Sequence, residues 1–200
     1  GFVEVGTVTP LKQYGNPKPR IFRLEGDKAL INRLGFNNDG SQIIRDRILS
    51  NLPSGILGIN IGPNKETENQ KNDFLLCVKN FFDIADYLTI NISSPNTEKL
   101  RDFHNDEKLI SLIKSINLEK NKLKSTIPIM IKISPDINDD SIEKISEIAI
   151  ENSINGIILT NTSSANRGNL NDIQKGESGG LSGKPMEAIS NRLIRKFYKF

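Results

Sequence analysis

The sequence predicts an α/β protein built on a parallel β-sheet, and three observations support this fold class. Five short apolar runs rich in β-branched residues alternate with longer segments of helical periodicity. The runs are nearly continuous in hydrophobicity, which is typical of parallel strands that are buried on both faces. Polar side chains follow the runs, where ligand sites form in parallel β/α folds. We therefore expect one domain of repeating βα units with right-handed crossovers.

The predicted elements alternate along the whole chain. Strands are expected at residues 2–8, 56–61, 87–92, 127–133 and 156–160. Helices are expected at residues 41–52, 71–82, 106–124 and 139–152, and from Pro185 to the C-terminus. Pro185 suits a first helical turn, because its missing N–H would have no partner there. Residues 10–24 contain three prolines and are expected to form a loop or hairpin extension.

Composition excludes several classes of protein. The net charge of +3 is small for 200 residues, and the basic residues lack interleaved aromatics, so nucleic-acid binding is not expected. The single cysteine, Cys77, lies in an apolar helical stretch and is expected to be a buried structural thiol. The single histidine, His104, is expected on the surface or in a loop, and no metal site is predicted. No stretch approaches the roughly 20 apolar residues of a membrane span, and no signal peptide is visible.

Five apolar runs are closed or followed by polar side chains. The polar residues are Thr7 and Thr9, Asn60, the turn of residues 91–97, Lys132 with Ser134, and residues 160–162. Lys132 is the only cation among them. An ammonium that snorkels to solvent is the ordinary interpretation of such a lysine. Because Lys132 follows an apolar run, we expect its ammonium to point inward, where it needs an anion or a strongly polarised acceptor.

The turn of residues 91–97 carries two carboxamides, three hydroxyls, one proline and no charge. Such groups suit a small planar polar ligand, and Pro95 stiffens the turn. The glycine-rich segment 176–183 could allow close backbone approach to a cofactor, although a flexible turn would also account for it.

Seven segments resemble the class 2 dihydroorotate dehydrogenases, in order and at similar spacing. They are residues 6–10, 32–38, 58–62, 91–97, 132–136, 160–162 and 179–183. The resemblance implies a TIM-type (β/α)8 barrel, of which residues 1–200 supply about five of eight strands, the second to the sixth. It also implies bound FMN, oxidation of (S)-dihydroorotate to orotate in de novo pyrimidine synthesis, a membrane quinone as electron acceptor, and a peripheral location on the cytoplasmic side of the cell membrane.

The resemblance assigns roles to individual residues. Ser94 matches the catalytic base, and a serine in place of cysteine indicates the quinone-linked class. Thr97 and Phe36 match the path by which the proton of the serine leaves. Substrate-binding positions are Asn32, Arg33, Leu34, Gly35, Phe36, Asn91, Asn96, Asn161 and Thr162. FMN-binding positions are Thr7, Asn60, Asn91, Lys132, Thr160 and Gly183. Arg23 matches an arginine near the quinone end.

The same resemblance leaves alternatives open. It implies that the membrane-docking helices, the first strand and the last two strands, with their phosphate loops, are absent from residues 1–200. The chain is then a fragment of an active enzyme or a non-catalytic truncated remnant. The isolated polypeptide is expected to have little flavin affinity. Another FMN barrel, such as a tRNA-dihydrouridine synthase, is less favoured, because Cys77 is misplaced as its acid and the net charge is weak for RNA binding.

Overall fold

A computed structural model describes residues 1–94 and 100–200, and its main feature is a five-stranded parallel sheet. The strands along the chain are β1 (Phe2–Val8), β2 (Ile21–Leu24), β3 (Ala29–Asn32), β4 (Ile56–Ile61), β5 (Tyr87–Asn91), β6 (Ile129–Lys132), β7 (Gly156–Ile158) and β8 (Gly180–Gly183). The parallel sheet has the order β1-β4-β5-β6-β7. Its strands follow one another in chain order, as in a β/α barrel, whereas a doubly wound sheet reverses order at a switch point.

Within the described residues, five α-helices connect and follow these strands. They are α1 (Ser41–Ser50), α2 (Gln70–Phe81), α3 (Asp106–Lys122), α4 (Asp139–Glu151) and α5 (Glu187–Phe197). Asparagine side chains cap α2 and α4, where Asn69 accepts from Asn72 N and Asn138 from Ser141 N. The helix predictions are confirmed, except that Pro185 lies in a short 3₁₀ turn, Lys184–Met186, just ahead of α5. No helix in the described ranges combines the length and hydrophobicity needed to cross a membrane.

The two faces of the parallel sheet differ in chemistry. Alternate strand residues such as Ile59, Leu88 and Ile131 join the main hydrophobic cluster together with residues of α2, α3 and α4. The opposite face carries Asn60 and Thr89, which are also buried but polar. Both faces of the strands are buried, as expected. Only one face is apolar, however, because side chains alternate between faces along a strand and those of the other face are polar.

A second, antiparallel sheet has the order β2-β3-β8 and its own small hydrophobic cluster. The expected hairpin exists, but it is formed by β2 and β3, so it begins only at the end of residues 10–24 and extends beyond them. The glycine-rich segment 176–183, for which a flexible turn was the alternative interpretation, ends in the strand β8, which pairs with β3. A Cβ at Gly179 would lie 2.3 Å from the backbone oxygen of Asn32, so this glycine permits close approach of one chain segment to another.

Candidate functional site

Two adjoining clefts of about 270 Å³ each lie at the carboxyl ends of the parallel strands. The central cleft is lined by Gly6, Thr7, Asn32, Leu34, Gly35, Phe36, Asn37, Asn91, Ser94, Lys132, Asn161 and Thr162. The side cleft is lined by Lys132, Thr160, Asn161, Thr162, Leu181, Ser182, Gly183, Met186, Glu187 and Ser190. Lys132, Asn161 and Thr162 belong to both clefts, so one ligand or two adjacent ligands could contact these three residues together.

Most of the sequence-predicted site residues meet in these clefts. The central cleft contains ten of them, and Thr160 and Gly183 line the side cleft. Asn60 lies one layer deeper and contacts the cleft through Thr7. Arg23 is exposed on β2 and lines neither cleft. Asn96 and Thr97 lie outside the described residues.

Arg33 does not reach the central cleft with its side chain. Its guanidinium pairs with Glu177 at 2.7 Å and lies over the ring of Phe22, 4.5 Å from the centroid. The neighbouring backbone is held from behind, because Gln13 Nε2 donates to Gly35 O at 2.9 Å and Asn38 Nδ2 donates to Phe36 O at 2.7 Å. These bonds position Leu34, Gly35 and Phe36 so that they line one wall of the central cleft.

A chain of side-chain hydrogen bonds runs along the floor of the central cleft. Asn161 Nδ2 donates to Asn91 Oδ1 at 3.1 Å and to Ser93 Oγ at 2.9 Å. Asn91 Nδ2 donates to Thr7 Oγ1 at 2.9 Å, and Thr7 Oγ1 donates to Asn60 Oδ1 at 2.8 Å. The carboxamides of Asn60, Asn91 and Asn161 are therefore held in fixed orientations, as recognition of a planar ligand requires.

Ser94 and Lys132 line the cleft above this floor. Ser94 is only 4% exposed and follows directly after Ser93, which is bound to Asn91. Lys132 is half-buried, and its ammonium has no hydrogen-bond or ion-pair partner among residues 1–94 and 100–200. The carboxylate that lines the side cleft, Glu187, pairs with Lys184 instead. A cation that pairs with none of the described residues, at the junction of two polar clefts, provides a site for an anionic ligand.

Sequence reasoning missed three residues that shape the site. Glu4 accepts from Asn60 Nδ2 at 3.0 Å and so extends the hydrogen-bonded chain below the cleft. Arg101, in the 3₁₀ turn after β5, pairs with Asp136 at 3.2 Å and donates to Ser164, and so ties this turn to the loops after β6 and β7. Ser93 stands out in the sequence only as part of the polar turn. The available signal for Glu4 was its place two residues before the 6–10 segment, on the same strand.

Asp136 is the acceptor that holds the loop after β7. Partial burial raises the pKa of Asp136, but the hydrogen bonds from Ser163 and Ser164 and the charge of Arg101 outweigh it and hold the pKa below its ordinary value. Ser163 Oγ donates at 2.5 Å and Ser164 N at 2.8 Å. Because Arg101 also donates to Ser164 Oγ at 2.8 Å, this ionised cluster fixes the backbone just beyond Asn161 and Thr162.

The single cysteine and the single histidine behave differently. Cys77 is fully buried, which confirms the predicted structural thiol, and burial raises its pKa well above the ordinary value. His104 is not a surface residue. It lies half-buried in the 3₁₀ turn Leu100–His104, and burial, with the charge of Arg101, lowers its pKa to about 4. The described ranges contain no group of three or more His, Cys, Asp or Glu residues that could hold a metal ion.

A larger cavity of about 710 Å³ lies beside the candidate site and shares only Gly35 with the central cleft. It is lined by Leu11, Lys12, Gln13, Tyr14, Gly15, Gly35, Asn64, Lys65, Glu66, Thr67, Glu68, Asn69 and Asp73. Within this cavity, Asn64 Oδ1 accepts from Leu11 N and Asn64 Nδ2 donates to Gln13 Oε1. The carboxamide of Asn64 therefore holds its own loop against the loop of residues 11–13. We assign the site to the smaller clefts, where polar groups from several strand ends converge.

Known proteins resemble this chain over its whole length. The protein-family model for dihydroorotate dehydrogenase matches residues 1–200. The dihydroorotate dehydrogenase (quinone) of Idiomarina loihiensis is 43% identical over 205 residues, covering 100% of this chain and 61% of the relative. The protein of the same name from Bartonella tribocorum is 42% identical over 200 residues, covering 98% of this chain and 56% of the relative.

A solved structure shows the same relation. The ligand-free dihydroorotate dehydrogenase of Eimeria tenella superposes with a TM-score of 0.93 at 39% identity, over 98% of this chain and 61% of that chain. The likeness confirms the barrel class predicted for the sheet. The chain spans about three-fifths of the length of these relatives. Because the family model matches every residue, the chain belongs to the dihydroorotate dehydrogenase family.

Proposed function

We propose that the protein containing this chain oxidises (S)-dihydroorotate to orotate in pyrimidine biosynthesis, with FMN in the site and a quinone as the final electron acceptor. We also propose that residues 1–200 form the central part of a single FMN-binding barrel domain. The observation that carries the proposal is the convergence of Asn91, Asn161, Ser94 and Lys132 in one cleft. Family membership and the quinone in the names of the relatives support it.

The central cleft suits the orotate ring. The ring offers an imide edge with donors and acceptors and one carboxylate. Asn32, Asn91, Asn161 and Thr162 line the cleft with groups that can both donate and accept hydrogen bonds. We assign the ring and carboxylate to these residues and to Asn96, and the segment of residues 33–36 to the substrate side, where Leu34, Gly35 and Phe36 form one wall of the cleft. Uncharged carboxamides bind such a ligand without burying a second ionised group.

The junction of the two clefts suits FMN. Bound FMN would supply the acceptor for the hydride that leaves C6 of dihydroorotate. Lys132 would hold the pyrimidine end of the flavin, which becomes anionic on reduction, because its ammonium has no other partner among the described residues. Thr7, Asn60, Asn91, Thr160 and Gly183 would contact the same group, from strand ends on both sides of Lys132.

Ser94 would take the proton from C5 of dihydroorotate while hydride leaves C6, so that the C5–C6 bond becomes double. A serine hydroxyl is a weak base, and it can accept this proton only when its own proton is passed on. Phe36 lies in the same cleft, and we assign Phe36 and Thr97 to the path that takes the proton away. The 4% exposure of Ser94 suits a base that works without bulk solvent.

The electrons would then pass to a quinone at a membrane surface. We assign Arg23, which is exposed on β2, to the quinone side, and we propose peripheral attachment to the cytoplasmic face of the membrane. The protein name shared by the bacterial relatives supports the quinone as acceptor.

The test uses the complete gene product that contains these 200 residues, purified with FMN. Orotate formation is followed by ultraviolet absorbance, with a soluble quinone, fumarate or NAD⁺ as the acceptor. We expect turnover with the quinone alone. A protein that binds flavin stoichiometrically and forms no orotate with any acceptor would contradict the proposed function and favour the non-catalytic remnant.

The assignment of Ser94 is tested by Ser94→Ala in the same protein. We expect the rate of dihydroorotate oxidation to fall at least about 100-fold, because the general base is lost, while flavin absorbance per protein stays constant. Ser50→Ala, at an exposed serine in the last turn of α1, is the matched control and should keep the full rate. A Ser94→Ala protein with near-normal turnover would show that another group takes the proton.

A further inference from the structure

Glu4 accepts three hydrogen bonds beneath the candidate site. Asn60 Nδ2 donates to one carboxylate oxygen at 3.0 Å. Thr89 Oγ1 and Tyr87 OH donate to the other oxygen at 2.8 Å and 3.2 Å. Three donors from two neighbouring strands therefore converge on one half-buried carboxylate on the polar face of the sheet.

The register of the sheet creates this arrangement. Glu4 of β1 is the partner of Gly58 of β4, and Gly58 is the partner of Tyr87 of β5. A Cβ at Gly58 would lie 2.1 Å from the ring of Tyr87, so the ring occupies the space that a side chain at position 58 would need. Burial, together with the charge of Glu4, raises the pKa of Tyr87 to about 12, and its hydroxyl stays a donor at neutral pH.

The carboxylate sets the direction of every bond above it. An ionised carboxylate only accepts, so Asn60 must present its nitrogen to Glu4 and its oxygen to Thr7. Thr7 must then donate to Asn60 and can only accept from Asn91. Asn91 therefore donates from Nδ2 to Thr7, and its Oδ1 accepts from Nδ2 of Asn161. Each carboxamide has one allowed orientation as long as Glu4 only accepts hydrogen bonds.

We propose that Glu4 is a positioning residue, which fixes through Asn60 and Thr7 the ends of the Asn91 and Asn161 carboxamides that face the ligand. The inference rests on the proposed function for the identity of that ligand. A carboxamide with its two ends exchanged presents a donor where the orotate ring needs an acceptor. Glu4 thus acts on ligand recognition without touching the ligand itself.

Two substitutions separate positioning from packing. Glu4→Met keeps the length of the side chain and removes both acceptors, so Asn60 can rotate. Glu4→Gln keeps one acceptor oxygen for Asn60, and its nitrogen can donate to the hydroxyls of Tyr87 and Thr89, which can turn to accept. Glu147→Met, at an exposed glutamate on α4, is the control for loss of a charge alone.

The orientation of the carboxamides is read first in the protein without ligands. In ¹⁵N NMR spectra of the complete gene product, we expect contacts from the Asn60 side-chain amide protons to the ring of Tyr87, and slow exchange of the Asn60 and Asn91 amide protons. Glu4→Met should speed this exchange. Contacts from the Asn60 amide protons to the Thr7 methyl group in the unmodified protein would overturn the proposal, even if Glu4→Met failed to fold.

The effect on recognition is read with the flavin-loaded protein. We expect Glu4→Met to weaken orotate binding about tenfold or more and to raise KM more than it lowers kcat, because a misoriented polar group loses its bond to the ligand. Glu4→Gln should restore most of the affinity. Unchanged orotate affinity in Glu4→Met, or equal losses in both variants that follow their loss of thermal stability, would overturn the positioning role.

Failure of the proposed function would look different. In that case the unmodified protein would neither bind orotate nor oxidise dihydroorotate, whereas the NMR measurement would still decide whether Glu4 orients Asn60 and Asn91.

Discussion

At the scale of single residues, Lys132 carries a charge into the site without a partner among the described residues. Its neighbours in the central cleft are uncharged, and its side chain lines both clefts. A half-buried cation without an anion costs folding free energy, so its presence indicates a requirement of ligand binding. The stability of the protein and its affinity for an anion should therefore respond in opposite directions when this charge is removed.

Lys132→Met tests this opposition. We expect the free energy of unfolding without ligands to stay constant or rise, because an unpaired charge is replaced by an apolar side chain of similar length. The affinity for FMN should fall at least about tenfold. Urea unfolding and flavin titration measure the two quantities. Lys114→Met, at an exposed lysine on α3, should change neither, and a Lys132→Met protein with normal flavin affinity would contradict the assignment.

Gly6 allows the backbone of β1 to lie close to β4 at the edge of the central cleft. Its φ is +130°, and a Cβ built there would lie 2.3 Å from the backbone oxygen of Asn60. We expect Gly6→Ala to lower the free energy of unfolding by at least about 2 kcal/mol and to displace Thr7 from Asn60. Chemical denaturation checks the first effect. Gly26→Ala has open space around its Cβ and serves as the control. Equal stabilities of the two variants would contradict the steric argument.

The sequence was informative for residues at strand ends and less so for their supports. Asn91, Lys132 and Asn161 could be placed at one site because each closes or follows an apolar run. Glu4 could not, since its role depends on contacts to Asn60, 56 positions away, and to Tyr87, 83 positions away. A carboxylate in a strand has no local pattern that distinguishes a buried acceptor from a solvated charge.

At the scale of elements, long periodic segments could be predicted, whereas the pairing of short strands that are distant in the chain could not. The strands of the parallel sheet and the five helices of the described ranges follow from hydrophobic runs and helical periodicity. The predicted strands at 127–133 and 156–160 extend past β6 and β7, because apolar residues continue beyond the hydrogen-bonded pairs. The antiparallel strands have four residues each. β2 and β3 pair locally, whereas β3 pairs with β8 across about 150 residues, as for Ile31 and Leu181.

The 3₁₀ turn Leu100–His104 should make folding stability depend on pH. Burial lowers the pKa of His104 to about 4 from its ordinary value of 6.5, so the folded protein favours the neutral imidazole. Stability from this group is complete above pH 6.5 and is lost as the pH falls toward 4, because only the unfolded chain takes up the proton there. The loss should reach roughly 3 kcal/mol.

Urea unfolding between about pH 7.5 and pH 4 measures this loss, and His104→Asn should remove it while leaving the titration of the carboxylates in place. The NMR signal of the His104 imidazole, assigned by its loss in His104→Asn, reports the pKa of this group directly. An imidazole that titrates near 6.5 in the folded protein would contradict the burial of His104.

At the scale of the whole molecule, the candidate site lies between two hydrophobic cores. The main cluster lies between the parallel sheet and its helices and includes Ile59, Leu88 and Ile131. A separate, smaller cluster around Ile31 and Leu181 supports the antiparallel sheet. The parallel sheet supplies Thr7, Asn91 and Lys132 to the clefts, whereas the antiparallel sheet supplies Asn32 and Gly183. The site is complete only while both sheets are in place.

The smaller sheet should therefore open on its own more readily than the parallel sheet. Within the described ranges its cluster has six buried residues, against 23 in the main one, so its opening exposes far less apolar surface. Native-state hydrogen exchange should give lower opening free energies for β2, β3 and β8 than for β4 and β5. Leu181→Ala, at a fully buried leucine, should speed exchange in the antiparallel sheet by creating a cavity there. Leu88→Ala should instead speed exchange in both sheets.

Ligands should reverse this difference. Because Asn32 and Gly183 line the clefts, we expect the proposed ligands, flavin and orotate, to bind fully only to molecules in which the antiparallel sheet is closed. Adding both ligands should slow hydrogen exchange in β3 and β8. The factor should rise with ligand concentration, because the ligands bind only to the closed state. Lys132→Met should reduce this protection without speeding the exchange of the unliganded protein. Equal protection of all strands would contradict local opening, and the two sheets would then unfold as one unit.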